Sequence, residues 1–266
     1  MRLDLFLVDK ALAESRQKAQ RLIKNGCVSI DGKVLIKSSE DIDESIEHLV
    51  EITETQDEKY VSRGGLKLEG ALGAFNISST GKICADIGAS TGGFTDCLLQ
   101  NGAEKVYAFD SGSGQLHSKL KNDPRVISRE GFNARYITVD DLGEKVDLAV
   151  MDVSFISQTL IIPGIVKLLR PNGIFVTLIK PQFEAGRSAL GKNGIVKHKE
   201  DRLSAVMRVL DCAFENQLAF LGLIRSPIKG GDGNEEFLAA FCLKEEPMRG
   251  NFSDIKTIVY SNTGER

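Results

Sequence analysis

Residues 82–95, with the sequence KICADIGASTGGFT, determine the fold class of most of this chain. Residues 82–87 have the pattern of a buried strand, and a glycine-rich loop follows before a helix predicted over residues 96–101. A second predicted strand, residues 105–109, ends in Asp110. This β-loop-α-β order, with an acid after the second strand, is typical of α/β folds that bind a ligand at the carboxyl edge of a parallel sheet.

The glycine loop restricts the class of ligand. Its spacing is G-x-x-x-G-G, so it lacks both the G-K-[S/T] grip on a nucleotide phosphate and the G-x-G-x-x-G dinucleotide pattern. Asp86, just before the first glycine, favours a cationic ligand, and Asp110 can hold both hydroxyls of a ribose. A ribose with a positive centre describes S-adenosylmethionine, and Asn133 or Arg135 are candidates for its adenine side. The predicted cofactor-binding residues are Asp86, Gly88, Ser90, Gly92, Gly93, Phe94 and Asp110.

Strands and helices continue to alternate after Asp110, which predicts a mostly parallel, Rossmann-like sheet with its site at the carboxyl ends of the strands. The predicted strands cover residues 125–128, 146–153, 173–180, 221–226 and 236–243, and the predicted helices cover residues 160–169 and 199–216.

Composition places the chain among globular proteins, with 266 residues, 42% hydrophobic and 27% charged. Five scattered cysteines without a C-x-x-C pair argue against a disulfide scaffold or a zinc site and suit a reducing compartment. The longest apolar run, residues 160–169, is too short to span a membrane. We therefore expect a cytoplasmic protein without a metal. The 37 acids and 34 bases argue, as a sum, against nucleic acid.

Charge is distributed unevenly along the chain. Residues 2–37 contain eight bases and four acids, whereas residues 40–58 contain nine acids and no lysine or arginine. This boundary predicts a small domain over residues 1–58, a linker over 59–66 and a large domain over 67–266.

The small domain begins with a short amphipathic helix, and Ser15 is a suitable N-cap for a second helix that ends near Gly26. Residues 28–35 then form a predicted hairpin around an Asp-Gly turn. Four bases lie on the second helix opposite its apolar stripe, and for an arbitrary helix this would be merely a solvated face. These bases are Arg16, Lys18, Arg21 and Lys24.

The order of these elements, with Arg2-Leu3-Asp4, the segment AESRQKA at 13–19 and Gly26, resembles the ribosomal-protein S4-type RNA-binding module. The resemblance implies a small α+β domain whose basic helix lies on the phosphate backbone of structured RNA. The RNA-binding candidates are Arg2, Arg16, Lys18, Arg21 and Lys24, with Arg63 in the linker.

Four blocks in the larger domain resemble the TlyA family, in which an S4-type module precedes an FtsJ-like methyltransferase. They are RGGLKL at 63–68, DIGASTGGFT at 86–95, DVSFI at 152–156 and IKPQFE at 179–184. The resemblance implies 2′-O-methylation of a ribose, typically of cytidine, in ribosomal RNA, with S-adenosylmethionine as cofactor and ribosomal subunits as partners.

FtsJ-like enzymes carry a Lys-Asp-Lys-Glu set, which the matching blocks place on Lys67, Asp152, Lys180 and Glu236. Lys180 would be the general base, a role that requires desolvation or a neighbouring cation to favour the neutral amine. The adjacent Glu235 leaves the choice of acid open, although the family pattern Gly-Asn-x-Glu-Phe favours Glu236.

A second basic region covers residues 180–208, with seven bases and three acids. Lys192 and Lys197 lie in a predicted glycine-containing loop that we expect to grip RNA, although an ordinary solvated loop is an open alternative.

Three other functions remain open. An RNA base N-methyltransferase would use the same cofactor, but residues 152–155 lack the prolines and tyrosine of an Asp-Pro-Pro-Tyr loop. A non-catalytic RNA-binding or assembly factor would not need the lysine–carboxylate set. A membrane-lysing protein would need an amphipathic or spanning segment that the sequence does not offer.

Overall fold

A computed structural model describes residues 1–13, 15–43, 45, 49–53, 59–191, 193–230, 233–247 and 253–261. The chain divides into two compact units, Met1–Lys59 and Tyr60–Arg266. Each has its own buried apolar core, and the core of the second unit lies on both faces of a central sheet.

The described residues of the first unit form two helices and a three-stranded antiparallel sheet, so the α+β prediction is confirmed. The helices are α1 (Leu3–Asp9) and α2 (Arg16–Lys24), and the Ser15 hydroxyl accepts the Lys18 N–H as the predicted N-cap. The sheet has the order β2-β1-β3, with β1 (Val28–Ile30), β2 (Lys33–Leu35) and β3 (Val50–Ile52).

The second unit is built on a seven-stranded sheet, in the order β6-β5-β4-β7-β8-β10-β9. The first five strands in this order are parallel, and β10 and β9 add antiparallel pairs at one edge. The prediction of a mostly parallel Rossmann-like sheet is therefore confirmed. The strands are β4 (Ile83–Ile87), β5 (Lys105–Phe109), β6 (Val126–Arg129), β7 (Val146–Met151), β8 (Leu169–Ile179), β9 (Leu218–Arg225) and β10 (Phe237–Leu243).

Helices cover the faces of this sheet. The helix predicted over 160–169 is α6 (Ile162–Leu168), preceded by a 3-10 turn, and the helix predicted over 199–216 is α8 (Lys199–Glu215). The other helices are α3 (Gly64–Ala74), α4 (Gly93–Gln100), α5 (Ser118–Lys121), α7 (Pro181–Glu184) and α9 (Ser253–Tyr260).

The segment expected as a linker, residues 59–66, differs from that expectation. Tyr60 is buried in the core of the second unit, and α3 begins at Gly64. A Cβ at Gly65 would lie 2.3 Å from Tyr60 Cγ, so the glycine allows the tyrosine ring to pack directly on the helix backbone. Tertiary packing therefore overrides the low helix propensity of the Gly-Gly pair.

Candidate active site

A cavity of about 620 Å³ opens at the carboxyl ends of the parallel strands. Its volume lies in the range of small-molecule sites. Its lining includes Gly88, Ser90 and Asp110 from the predicted cofactor set and Asp152 from the predicted catalytic set. Asn133, a candidate for the adenine side, lines the same cavity.

Gly88 brings two strand ends together at this cavity. It has φ +85°, and a Cβ there would lie 2.4 Å from the carbonyl oxygen of Asp152. The Asp152 N–H donates to the carbonyl of Ile87, the residue before this glycine. The loop after β4 and the loop after β7 therefore approach each other more closely than any side chain at position 88 would permit.

Asp110 is fixed by two backbone amides. Its carboxylate accepts the N–H of Ser90 and the N–H of Gly112, each at 2.7 Å. Each carboxylate oxygen has a second lone pair. Asp110 is therefore rigidly held and can still accept hydroxyl groups from a ligand in the cavity.

Asp86 lies below the glycine loop and is fully buried. The Thr95 hydroxyl donates to its Oδ2 at 2.6 Å, while its Oδ1 has no hydrogen-bond partner among the described residues. Burial, together with the nearby carboxylates of Asp152 and Asp110, raises the pKa of Asp86 to about 7. Three carboxylates thus converge at this end of the site, which suits a ligand with a positive charge.

The remaining predicted cofactor residues pack into the protein rather than line the described cavity. A Cβ at Gly92 would lie 2.1 Å from Leu120 Cδ1, and one at Gly93 would lie 2.3 Å from the Ser62 hydroxyl. Phe94 is 3% exposed within an apolar core cluster. These three residues therefore pack against the protein interior and support the glycine loop from below.

Lys180, directly after β8, contacts the carboxylate that follows β7. Its Nζ lies 2.6 Å from Asp152 Oδ1 and donates a hydrogen bond of 2.8 Å to the Ser154 hydroxyl. The Lys180 side chain is 12% exposed. Ser154 also lines the cavity; it lies within the DVSFI block but was not among the predicted site residues.

Lys67, on α3, forms the second lysine–carboxylate pair. Its Nζ lies 2.5 Å from Glu236 Oε2, with the two side chains 11% and 3% exposed. Phe237 on β10 pairs with Ile179 on the neighbouring antiparallel strand β8. Glu236 precedes Phe237 and Lys180 follows Ile179, so these two residues lie side by side just beyond the paired strand ends. Both lysine–carboxylate pairs therefore lie at one edge of the sheet.

The two neighbouring acids, Glu235 and Glu236, form ion pairs with different residues. Glu235 lies 2.8 Å from Arg225 Nη1 and 3.3 Å from Arg202 Nε, so it belongs to an arginine cluster instead. In this structure Glu236, not Glu235, is paired with Lys67.

Asn234 connects the strand end that carries Glu236 to the loop that carries Lys197. It is 3% exposed, accepts the Val196 N–H at 3.1 Å and donates to the Gly194 carbonyl at 3.2 Å. Lys197 is exposed on this loop, while Lys192 lies outside the described residues.

Within the first unit, Asp4 organises two of the predicted RNA-binding residues. It is fully buried and accepts hydrogen bonds from Arg2, Gln20 and Arg16. These groups, Arg2 foremost, hold the pKa of Asp4 well below its usual range. The remaining candidates are Lys18, Arg21 and Lys24 on α2 in this unit, and Arg63 at the start of α3 in the second.

No helix in the described ranges combines the length and the apolar character needed to cross a bilayer. Among those same residues, no group of three or more His, Cys, Asp or Glu side chains is arranged to hold a metal ion.

Known proteins match both units. Residues 60–242 match the FtsJ-like methyltransferase family, and residues 1–45 match the S4 domain. Hemolysin A of Brachyspira hyodysenteriae is 47% identical over 91% of this chain and all of its own length.

Two further relatives cover most of their own lengths as well. The 16S/23S rRNA (cytidine-2′-O)-methyltransferase TlyA of Mycobacterium tuberculosis is 42% identical over 89% of this chain and 87% of its own. A solved Streptococcus thermophilus protein, provisionally named a hemolysin, is 42% identical, with a TM-score of 0.76 over 97% of this chain and 94% of its own. The chain therefore belongs to the TlyA family, in which an S4 domain precedes an FtsJ-like methyltransferase domain.

Proposed function

We propose that this protein transfers the methyl group of S-adenosylmethionine to the 2′-hydroxyl of a cytidine ribose in ribosomal RNA, within a ribosomal subunit. The observation that carries the proposal is the presence of two lysine–carboxylate pairs, Lys67–Glu236 and Lys180–Asp152, at the carboxyl edge of a methyltransferase sheet. The name of the M. tuberculosis relative supports the choice of a ribose in rRNA.

The residues of the cavity fit this cofactor. Asp110 has acceptor capacity for ribose hydroxyls, and the buried Asp86 with its unpartnered oxygen favours a cation nearby. Bound there, S-adenosylmethionine supplies an electrophilic methyl group on a positively charged sulfur. Gly88 would allow close approach of the backbone, and Asn133, which lines the same cavity, would contact the adenine side.

The chemistry required of the protein is the removal of one proton. A ribose hydroxyl attacks poorly unless its proton leaves as the oxygen–carbon bond forms. In the proposed mechanism Lys180 Nζ accepts that proton, and Asp152 Oδ1 holds the amine in place. Lys67, fixed by Glu236, supplies a positive charge near the developing oxyanion. The remaining contribution is alignment of the reacting groups.

Affinity for S-adenosylmethionine should rise with pH up to about 7, the value to which burial raises the pKa of Asp86. The cationic cofactor favours the ionised carboxylate, so binding releases a proton wherever Asp86 is protonated in the free protein. Below its pKa, the affinity should change by about tenfold per pH unit, and it should level off above it. Calorimetric titrations from pH 5.5 to 7.5 measure this slope. In Asp86→Asn the slope should vanish, and an identical slope in that variant would exclude Asp86 as its source.

Charge reversal on the 191–197 loop should weaken RNA binding. Lys197 is exposed on a loop that Asn234 anchors beside Glu236, so a phosphate contact there would lie close to the site. Lys197→Glu should lower RNA affinity about tenfold at low salt and less at high salt, with cofactor affinity unchanged. Filter binding measures the first and calorimetry the second. Unchanged RNA affinity would mean that the loop is only solvated.

The proposed function is tested by methyl transfer from labelled S-adenosylmethionine to isolated ribosomal subunits, followed by nucleotide mapping. We expect the label on a cytidine 2′-oxygen. Label on a base would replace the proposal by base methylation, and RNA binding without any transfer would favour an assembly factor.

A further inference from the structure

Ser154 contacts the proposed base directly. Its hydroxyl accepts a hydrogen bond of 2.8 Å from Lys180 Nζ, the same nitrogen that lies 2.6 Å from Asp152 Oδ1. Ser154 is itself exposed and lines the cavity, whereas the Lys180 side chain is largely buried. The serine therefore contacts both the amine and the cavity.

The contact with Ser154 affects the orientation of the Lys180 amine. A neutral lysine has two N–H bonds and one lone pair in tetrahedral directions, and rotation about the terminal carbon–nitrogen bond exchanges them. The ion pair with Asp152 holds the nitrogen in place but fixes no N–H direction, because Asp152 Oδ1 accepts no hydrogen bond from the described residues. The hydrogen bond to Ser154 fixes one N–H direction. A lone pair that faced the nearby Asp152 carboxylate would be repelled by its charge, so the third direction is left for the lone pair.

We propose that Ser154 is a positioning residue that orients Lys180 Nζ so that its lone pair faces the ribose hydroxyl, a role that rests on the proposed function. A hydroxyl suits this role because it is a neutral acceptor. A second carboxylate in its place would add negative charge and favour the ammonium form, which has no lone pair to accept a proton.

The backbone around Ser154 is held in a costly conformation. Phe155 has φ +65°, an unusual value for an aromatic residue. The segment that follows is fixed to α7, where the Ser157 hydroxyl and the Gln158 N–H donate to the two oxygens of Glu184 at 2.6 and 2.8 Å. A strained backbone conformation persists only where surrounding contacts hold it in place. Such conformations are common at functional sites, where a residue must keep a fixed position.

Steady-state methyl transfer by Ser154→Ala tests the role, with Ser154→Thr as the conservative variant. Loss of one hydrogen bond that orients the amine should lower kcat about 10- to 100-fold, with KM for RNA and Kd for S-adenosylmethionine within about twofold of wild type. Ser154→Thr keeps the hydroxyl and should recover most of kcat. The matched control is Ser204→Ala, an exposed serine on α8, which should retain full kcat.

The outcomes separate this role from the function on which it rests. An unchanged kcat in Ser154→Ala overturns the role of the serine while leaving ribose methylation by the wild type intact. A raised KM or Kd with unchanged kcat would make Ser154 a binding contact instead. Failure of Ser154→Thr to recover activity, with its Tm unchanged, also counts against positioning by the hydroxyl. If the wild-type protein transferred the labelled methyl group to a base, both the proposed function and this role of Ser154 would be overturned.

Discussion

Lys180→Met should lower kcat for methyl transfer about 10³-fold while the protein still binds S-adenosylmethionine and RNA with wild-type affinity. A positioned general base contributes about 10² to 10⁴ in rate, and methionine has a similar length but accepts no proton. Because the Lys180 side chain is only 12% exposed, methionine can occupy its volume without opening the site. Single-turnover transfer to ribosomal subunits measures the chemical step, and calorimetry measures cofactor binding.

Lys180→Arg distinguishes proton transfer from simple charge. Arginine would keep a positive charge beside Asp152, but its guanidinium does not give up a proton in proteins and so cannot act as a base. We expect Lys180→Arg to be as inactive as Lys180→Met. An arginine variant within tenfold of wild-type kcat would show that the site needs a cation at this position rather than a base.

The strands that carry the site could be predicted from sequence because each is a short apolar run that ends in a polar residue. β4 and β5 lie within one residue of their predicted ends. Asp110 follows β5 directly, and Asp152 follows β7 directly. The residues that follow parallel strands lie together at the carboxyl edge of the sheet. The order of the strands was therefore enough to predict that Asp152 and Lys180 lie close to each other.

Other features depend on contacts that no local pattern encodes. Phe94 follows the glycine loop, so it was expected to line the cofactor site, but its ring enters a core cluster with residues distant in sequence such as Leu68 and Leu148. β3 lies in the acidic region and is a strand because it pairs with β1. The α9 helix was not predicted, although the buried pair Ile255 and Val259 has helical spacing.

Ser154 was missed for a different reason. A serine after a strand is an ordinary residue, and only the 2.8 Å contact with Lys180 distinguishes it. The choice of Glu236 over Glu235 likewise came from a family pattern, and the separate partners of the two acids became visible only in three dimensions.

Breaking the Lys67–Glu236 pair should cost both stability and activity, and the two effects can be separated. The side chains are 11% and 3% exposed with their charged atoms 2.5 Å apart. Glu236→Gln would leave the Lys67 ammonium buried without its carboxylate, and Lys67→Met would leave the carboxylate without its cation. Each single variant should lower the free energy of unfolding by about 3 kcal/mol, because an uncompensated buried charge is left behind.

The double variant Lys67→Met/Glu236→Gln contains neither charge, so most of the lost stability should return. Activity should not return, because the proposed role of Lys67 is to place a positive charge near the developing oxyanion, and the double variant has none. We expect kcat to remain at least about 10²-fold below wild type in the two variants that lack Lys67. Urea unfolding measures the first quantity and single-turnover transfer the second.

Glu235→Gln is the matched control, since it changes the adjacent acid, whose partners are Arg202 and Arg225 rather than Lys67. It should keep kcat within about threefold of wild type, as expected for a carboxylate outside the reacting groups. If the double variant recovered activity together with stability, the pair would serve only to hold α3 against β10. If activity stays low while stability recovers, the charges of the pair are needed for the reaction itself and not only to hold α3 against β10.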